Sequence, residues 1–124
     1  MESNELLDMT YMYELAANEP KYIYDVVSIF LETVPKGVAE LEQMIKKNEP
    51  LMVVYKQAHF LKSSTSIIKV RDVYPDICVI TELAKNNIND REEMIARIDH
   101  VISNLNESIP LLLEEKNKNN DSGK

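Results

Sequence analysis

The sequence predicts an all-α fold: an antiparallel up-down four-helix bundle with a short leading N-terminal helix. Three observations predict it. Apolar residues recur at steps of three and four along most of the chain. Only 2 glycines, Gly37 and Gly123, occur in 124 residues, too few for a many-stranded β architecture with Gly-rich turns. The 5 prolines stand at positions 20, 35, 50, 75 and 110, spaced as boundaries or bends of helices. A single domain of this length buries roughly two-thirds of its unfolded surface, enough for a core without disulfides or metal.

Each element follows in order. Thr10 to Ala17 forms the short leading piece. Between Pro20 and Asn48 the apolar residues are Ile23, Val27, Phe30, Val34, Val38, Leu41 and Ile45. They stay within about 80° on a wheel of roughly 100° per residue, one amphipathic helix of about eight turns. Asn18 is the expected cap, and Pro20 stands where a missing N–H costs nothing. The stripe continues in phase past Pro35, so that proline should kink the helix rather than end it. A second helix is expected from about Pro50 to Ile68, with Val54, Ala58, Leu61, Thr65 and Ile68 inward. A third starts near Asp72, its expected N-cap, with Pro75 in its first turn, and turns Val73, Ile77, Ile80 and Ala84 inward. It runs down at Asn86-Asn87. Asn89 is the expected cap of a fourth, with Glu92 completing a capping box. Its stripe is Met94, Ile98, Val101, Ile102, Leu105, Ile109 and Leu112, with a bend at Pro110. The bundle domain is assigned to residues 1–116, and the polar stretch 117–124 to a disordered tail.

Composition removes several function classes. The formal charge is 14 minus 21, or -7, which argues against a nucleic-acid binder that works by displacing counterions. No Gly-rich phosphate loop can be built. One cysteine and 2 histidines cannot make a zinc finger or ribbon, and no metal site is expected. Met1 to Thr10 is acidic without a long apolar run, so no secretory leader is expected. No stretch approaches the roughly 18 apolar residues of a membrane span. A cytoplasmic protein without membrane insertion is the expectation. Cys78 stands off its helix's apolar stripe with no activating neighbours and is read as inert.

One histidine faces the wrong way for a structural residue. With His59 at 0° on its helix, Leu61, Val54 and Ile68 fall near about 180–220°. Its outward face also carries Met52, Tyr55, Lys56, Lys62, Ser63 and Ser66. Lys62 and Ser63 stand at i+3 and i+4, the side-chain neighbours on a helix surface. Two lysines therefore flank an exposed imidazole in an acidic protein. The run Ser63, Ser64, Thr65, Ser66 leaves the adjoining surface low enough for another protein to approach. His100 lies opposite the Met94–Ile98–Val101 stripe and is expected to be a plain solvated side chain.

The segment Ala58-His59-Phe60-Leu61-Lys62-Ser63-Ser64 resembles the phospho-acceptor motif of histidine-containing phosphotransfer (HPt) domains, roughly A-H-x-L-K-G/S-S. Phe30-Leu31-Glu32, Pro35 and Leu41-Glu42 resemble that family's F-L-E…P…L-x-E-L-E helix, and Thr10 to Ala17 its leading helix. The resemblance covers residues 8–113. It implies a four-helix bundle whose exposed histidine carries a phosphoryl group between aspartates of response-regulator receiver domains. It makes His59 the acceptor through Nε2, Lys62 the charge beside the phosphoryl oxygens, and Ser63 a small residue that keeps the approach open. Thr81, counted level with His59, stands in place of a Glu or Gln that in the family often hydrogen-bonds the imidazole, so the ring's orientation is expected to rest on Thr81 or on water. Lys69 stands where the family has a glycine at the bend after the histidine helix.

The partners implied are receiver domains and a sensor histidine kinase of the hybrid type, contacting Met52, Tyr55, Lys56, Ser63 and Ser66. The Mg²⁺ of the reaction belongs to the receiver, so no cofactor is expected here. A monomer without kinase activity of its own is implied. The other reading is a helical adaptor that docks a partner by an apolar patch, with His59 incidental.

Overall fold

A computed structural model describes residues 6–120. It is mostly helical, with five helices and one two-stranded sheet among the described residues. In chain order these are β1 (Leu7–Asp8), α1 (Thr10–Leu15), α2 (Pro20–Lys46), α3 (Leu51–Ser64), β2 (Lys69–Val70), α4 (Val73–Lys85) and α5 (Arg91–Lys118). Helix α2 packs against α3 and α5, and α4 packs against the same two. The inward stripes read from the sequence are the buried ones. All seven named residues of α2 are buried, as are Val54, Ala58 and Leu61 of α3 and Val73, Ile77, Ile80 and Ala84 of α4. On α5, Met94, Ile98, Val101, Leu105 and Leu112 are buried, while Ile102 and Ile109 are half-buried at its margin. Pro35 and Pro110 both lie inside helices that continue past them.

The helix connections are tight without glycine. Ala17, Asn48 and Asn87 adopt positive φ (51°, 62° and 61°) directly after the C-caps of α1, α2 and α4. Each end closes with the paired backbone bonds of a Schellman motif. After α2, Asn48 N–H donates to Ile45 O and Glu49 N–H to Met44 O. After α4, Asn87 N–H donates to Ala84 O and Ile88 N–H to Leu83 O. Asparagine tolerates the left-handed region better than most residues, so it replaces the missing glycines at two of these turns.

Two of the helix caps differ from the sequence expectation by one residue. Asn18 does not cap α2; it has φ 59° in the preceding turn, and Glu19 is the N-cap, without a side-chain cap bond. Pro20 does occupy the first turn. Asp90, not Asn89, caps α5, its carboxylate accepting from Glu93 N–H at 3.1 Å. Asn89 instead accepts from the Arg91 side chain, and Arg91 Nη2 donates to Glu49 O at 2.5 Å. Asp72 caps α4 by position, in a left-handed conformation with no side-chain cap bond.

Two further expectations are corrected. The sequence reading has no strand, yet Leu7 pairs with Val70 and Asp8 with Lys69 in an antiparallel register. Lys69 is therefore extended, and the left-handed residue of the α3–α4 connection is Asp72. The polar tail does not begin at 117. Helix α5 runs to Lys118, and Asn119 is buried, donating from Nδ2 to the Tyr13 hydroxyl at 3.0 Å. That hydroxyl donates to Glu115 Oε1 at 2.6 Å, tying α1 to the end of α5. Burial and the Glu115 carboxylate hold the Tyr13 phenol above its ordinary range. Residues 121–124, the rest of the expected tail, lie outside the described residues.

His100 is not a plain solvated side chain. Its Nδ1 lies 2.7 Å from Asp76 Oδ2, and Arg97 Nη1 donates to Asp76 Oδ1 at 2.9 Å. Asp76 is only 3% exposed, and a buried carboxylate is stable only when its oxygens are satisfied. This cluster joins α4 to α5. We predict that Asp76→Ala lowers stability by about 1–2 kcal/mol, because hydrogen bonds to a buried charged group are lost while both donors can reach water. Urea unfolding of the two proteins measures it, and an unchanged midpoint would contradict this account of the cluster.

Candidate functional site

Helix α3 buries a narrow stripe. Val54, Ala58 and Leu61 show no exposure, and its remaining circumference carries the polar residues. Gly37 of α2 faces this stripe: a Cβ there would meet Leu61 Cδ2 at 2.9 Å. Gln57 Nε2 donates to Gly37 O at 2.9 Å beside that contact. With Ala58 and Leu61 turned inward, His59 stands about 100° from the first and about 160° from the second on the helix wheel, and it is exposed.

The imidazole ring stacks on Tyr55, one turn earlier, at 5.6 Å between centroids and 24° between planes. It accepts or donates no hydrogen bond among the described residues. Lys62, half-buried, and Lys56, exposed, flank it, and neither is in an ion pair among the described residues. Ser63 is exposed one turn on.

The hydroxyl run at the end of α3 bonds back to backbone carbonyls. Ser64 Oγ donates to Phe60 O at 3.1 Å, Thr65 Oγ1 to Leu61 O at 2.8 Å, and Ser66 Oγ to Ser63 O at 2.8 Å. Helix α3 stops at Ser64 rather than at the expected Ile68. Thr65 and Ile68 are buried nonetheless.

The predicted site residues are therefore divided. His59, Lys56, Lys62, Ser63, Met52 and Tyr55 share α3. Ser66 does not; it lies beyond the helix and lines a separate groove of about 570 Å³ with Tyr11, Lys69, Arg71 and Tyr74. Met52 and Tyr55 border another groove, about 400 Å³, with Ala84, Lys85 and Asn87 at the end of α4. Thr81 is buried, and its hydroxyl donates to Ile77 O at 2.7 Å within its own helix, not to His59. Phe60 (51% exposed) and Val53 (37%) were not singled out from the sequence. The wheel already carried that signal, since both lie off the Val54–Leu61 stripe.

Chemically, the arrangement offers an accessible imidazole, a nucleophile when neutral, on a helix face with two lysines that no carboxylate among the described residues pairs. Among the described residues no set of three or more His, Cys, Asp or Glu side chains is placed to hold a metal ion, and no helix is long and apolar enough to cross a membrane. No protein-family model matches the chain, and no match was found among curated proteins or solved structures.

Because the Thr81 hydroxyl serves its own helix, Thr81→Val is expected to change stability by about 1 kcal/mol or less. The ring resonances of His59 should not move. A shift of the His59 imidazole signals in a ¹H–¹⁵N correlation spectrum would show that Thr81 does orient the ring.

Proposed function

We propose that this chain is a histidine phosphotransfer protein, relaying a phosphoryl group between aspartates of receiver domains through phosphohistidine at His59. The observation that carries the reading is His59 itself, exposed on α3 with unpaired Lys62 and small Ser63 on the following turn. This is the segment that resembles the HPt phospho-acceptor motif. The finer fold belongs to the same reading: α2 to α5 as an antiparallel up-down four-helix bundle. The packing of α2 and α4 each against α3 and α5, with short connections, supports it.

In the proposed reaction the Nε2 lone pair of neutral His59 attacks the phosphorus of a receiver aspartyl phosphate. The N–P bond forms as the P–O bond to the aspartate breaks, and the aspartate leaves as carboxylate. The Nδ1 proton is released to solvent. The reverse sequence onto a second receiver aspartate regenerates the imidazole. Lys62 offsets charge on the phosphoryl oxygens, and Lys56 adds less because solvent screens it. Mg²⁺ is held by the receiver. The donors are receiver domains, including that of a hybrid sensor kinase. A partner must cover His59, because reacting atoms have to approach within about 3–3.5 Å. Exposed Met52, Val53 and Phe60 on the same helix supply apolar contact area. They would equally serve an adaptor with no phosphoryl chemistry, which is the competing reading.

His59→Gln separates the two. It should abolish labelling by phosphorylated receivers while changing stability by less than about 0.5 kcal/mol, as is usual at an exposed position. Acid-labile, alkali-stable label on the wild type, absent from the variant, is the expected result. Equal labelling of both proteins would exclude His59 as acceptor, and receiver binding without any label would favour the adaptor.

Lys62→Ala should slow transfer without stopping it. A positioned cation that forms no bond to the transferred group is worth on the order of tenfold at a partly solvated site. Rapid-quench measurement of transfer from one donor receiver compares the two proteins, and equal rates would reduce Lys62 to a solubilising side chain.

A further inference from the structure

An exposed histidine on a helix ordinarily exchanges among rotamers. A nucleophile gains from being held with its attacking atom outward. On α3 no hydrogen bond restrains either ring nitrogen of His59 among the described residues. Thr81, the side chain named for that role, has its hydroxyl committed to Ile77 O. The ring contact with Tyr55 is what remains, and its 5.6 Å separation and 24° tilt fall in the range of favourable offset stacking.

Tyr55 is suited to act as a platform. Its side chain is half-buried and packs against the hydrophobic core, and it borders the groove formed with Leu51, Met52 and Ala84. Long side chains on a helix lean back over the preceding turn, which brings the ring at 59 over the ring at 55. Stacking covers a face of the imidazole and leaves its edge, where both nitrogens lie, uncovered. Lys62 and Ser63 occupy the turn on the other side of His59.

We propose that Tyr55 is a positioning residue for His59: its ring holds the imidazole by stacking in the orientation from which the edge nitrogen attacks. This rests on the phosphotransfer reading and replaces for Tyr55 the role of simple partner contact. It requires an aromatic ring at 55, not its hydroxyl.

The test uses phosphoramidate, a small phosphodonor that needs no docked protein. Nε2 attacks its phosphorus, the P–N bond of the donor breaks, ammonia leaves, and the Nδ1 proton passes to solvent. Wild type, Tyr55→Phe, Tyr55→Leu and Tyr55→Ala are compared, with amide spectra checking the fold of each. The leucine variant keeps bulk if the alanine variant does not fold. Each rate is expressed per neutral imidazole, from an NMR titration of His59 in the same protein. Tyr55→Phe should match wild type in rate and in the ring-current shifts of the His59 ring protons. Tyr55→Leu and Tyr55→Ala should lose those shifts and react about three- to tenfold more slowly, the range expected for one aromatic contact.

Wild-type rates in the leucine and alanine variants would overturn the proposal. So would slowing seen with a phosphorylated receiver but not with phosphoramidate, which would make Tyr55 a docking contact only. If wild-type His59 reacts with phosphoramidate but with no receiver, the phosphotransfer reading fails, and the comparison among the Tyr55 variants still decides the positioning role.

Discussion

Leu61 seated against Gly37 is the contact that decides which way α3 faces. Any larger residue at 37 would come within 2.9 Å of the Leu61 side chain. A fully buried leucine cannot readily swing aside, because protein interiors are close-packed. With Leu61, Ala58 and Val54 fixed inward, the 3.6-residue period turns His59 outward. The face of α3 on which His59 stands is thus set by three apolar residues and a glycine on the opposite side of the helix. Gln57 reinforces the same approach through its bond to Gly37 O. The exposed position of His59 is a consequence of core packing.

The polar side of α3 is arranged by a second, weaker set of interactions. Ser64, Thr65 and Ser66, at its end and just past it, donate their hydroxyls to backbone carbonyls of the last turns, and the chain then continues into β2. Ser63 is outside that set and stays exposed beside His59. Lys56 and Lys62 find no carboxylate partner among the described residues. Elsewhere such pairs form readily, as between Lys46 and Glu42 at 2.8 Å. An unpaired lysine next to an imidazole leaves its charge available to an incoming anion.

The inner stripes were legible because burial imposes a period that survives without coordinates. Every residue named for the inner faces of α2 and α4 is buried. Caps were less legible, because adjacent polar residues compete and the local backbone decides among them. Asn18 and Asn89 are the expected caps, but Glu19 and Asp90 hold those positions, and of the two only Asp90 makes a side-chain cap bond. The β1–β2 pair is only two residues a side, too short to leave an alternating pattern. Thr81 shows the limit of counting along a hairpin: its sequence level was estimated, but its azimuth puts it in the core. The Asp76–His100 contact spans 24 residues and two helices, and nothing in the linear order signals that meeting.

The two histidines make the electrostatic logic of the proposed site explicit. His100 is half-exposed, as an acceptor would need to be, but its Nδ1 is held by Asp76 and its Nε2 lies 3.9 Å from Asp72. A phosphoryl group arriving at that nitrogen would meet a carboxylate at close range, and like charges there oppose the transfer. His59 has the reverse surroundings, with lysines three residues before and three after it. Exposure alone would leave the choice between two imidazoles open. The sign of the neighbouring charge distinguishes them, and it makes His59 the one suited to receive an anionic group while His100 serves to join α4 to α5.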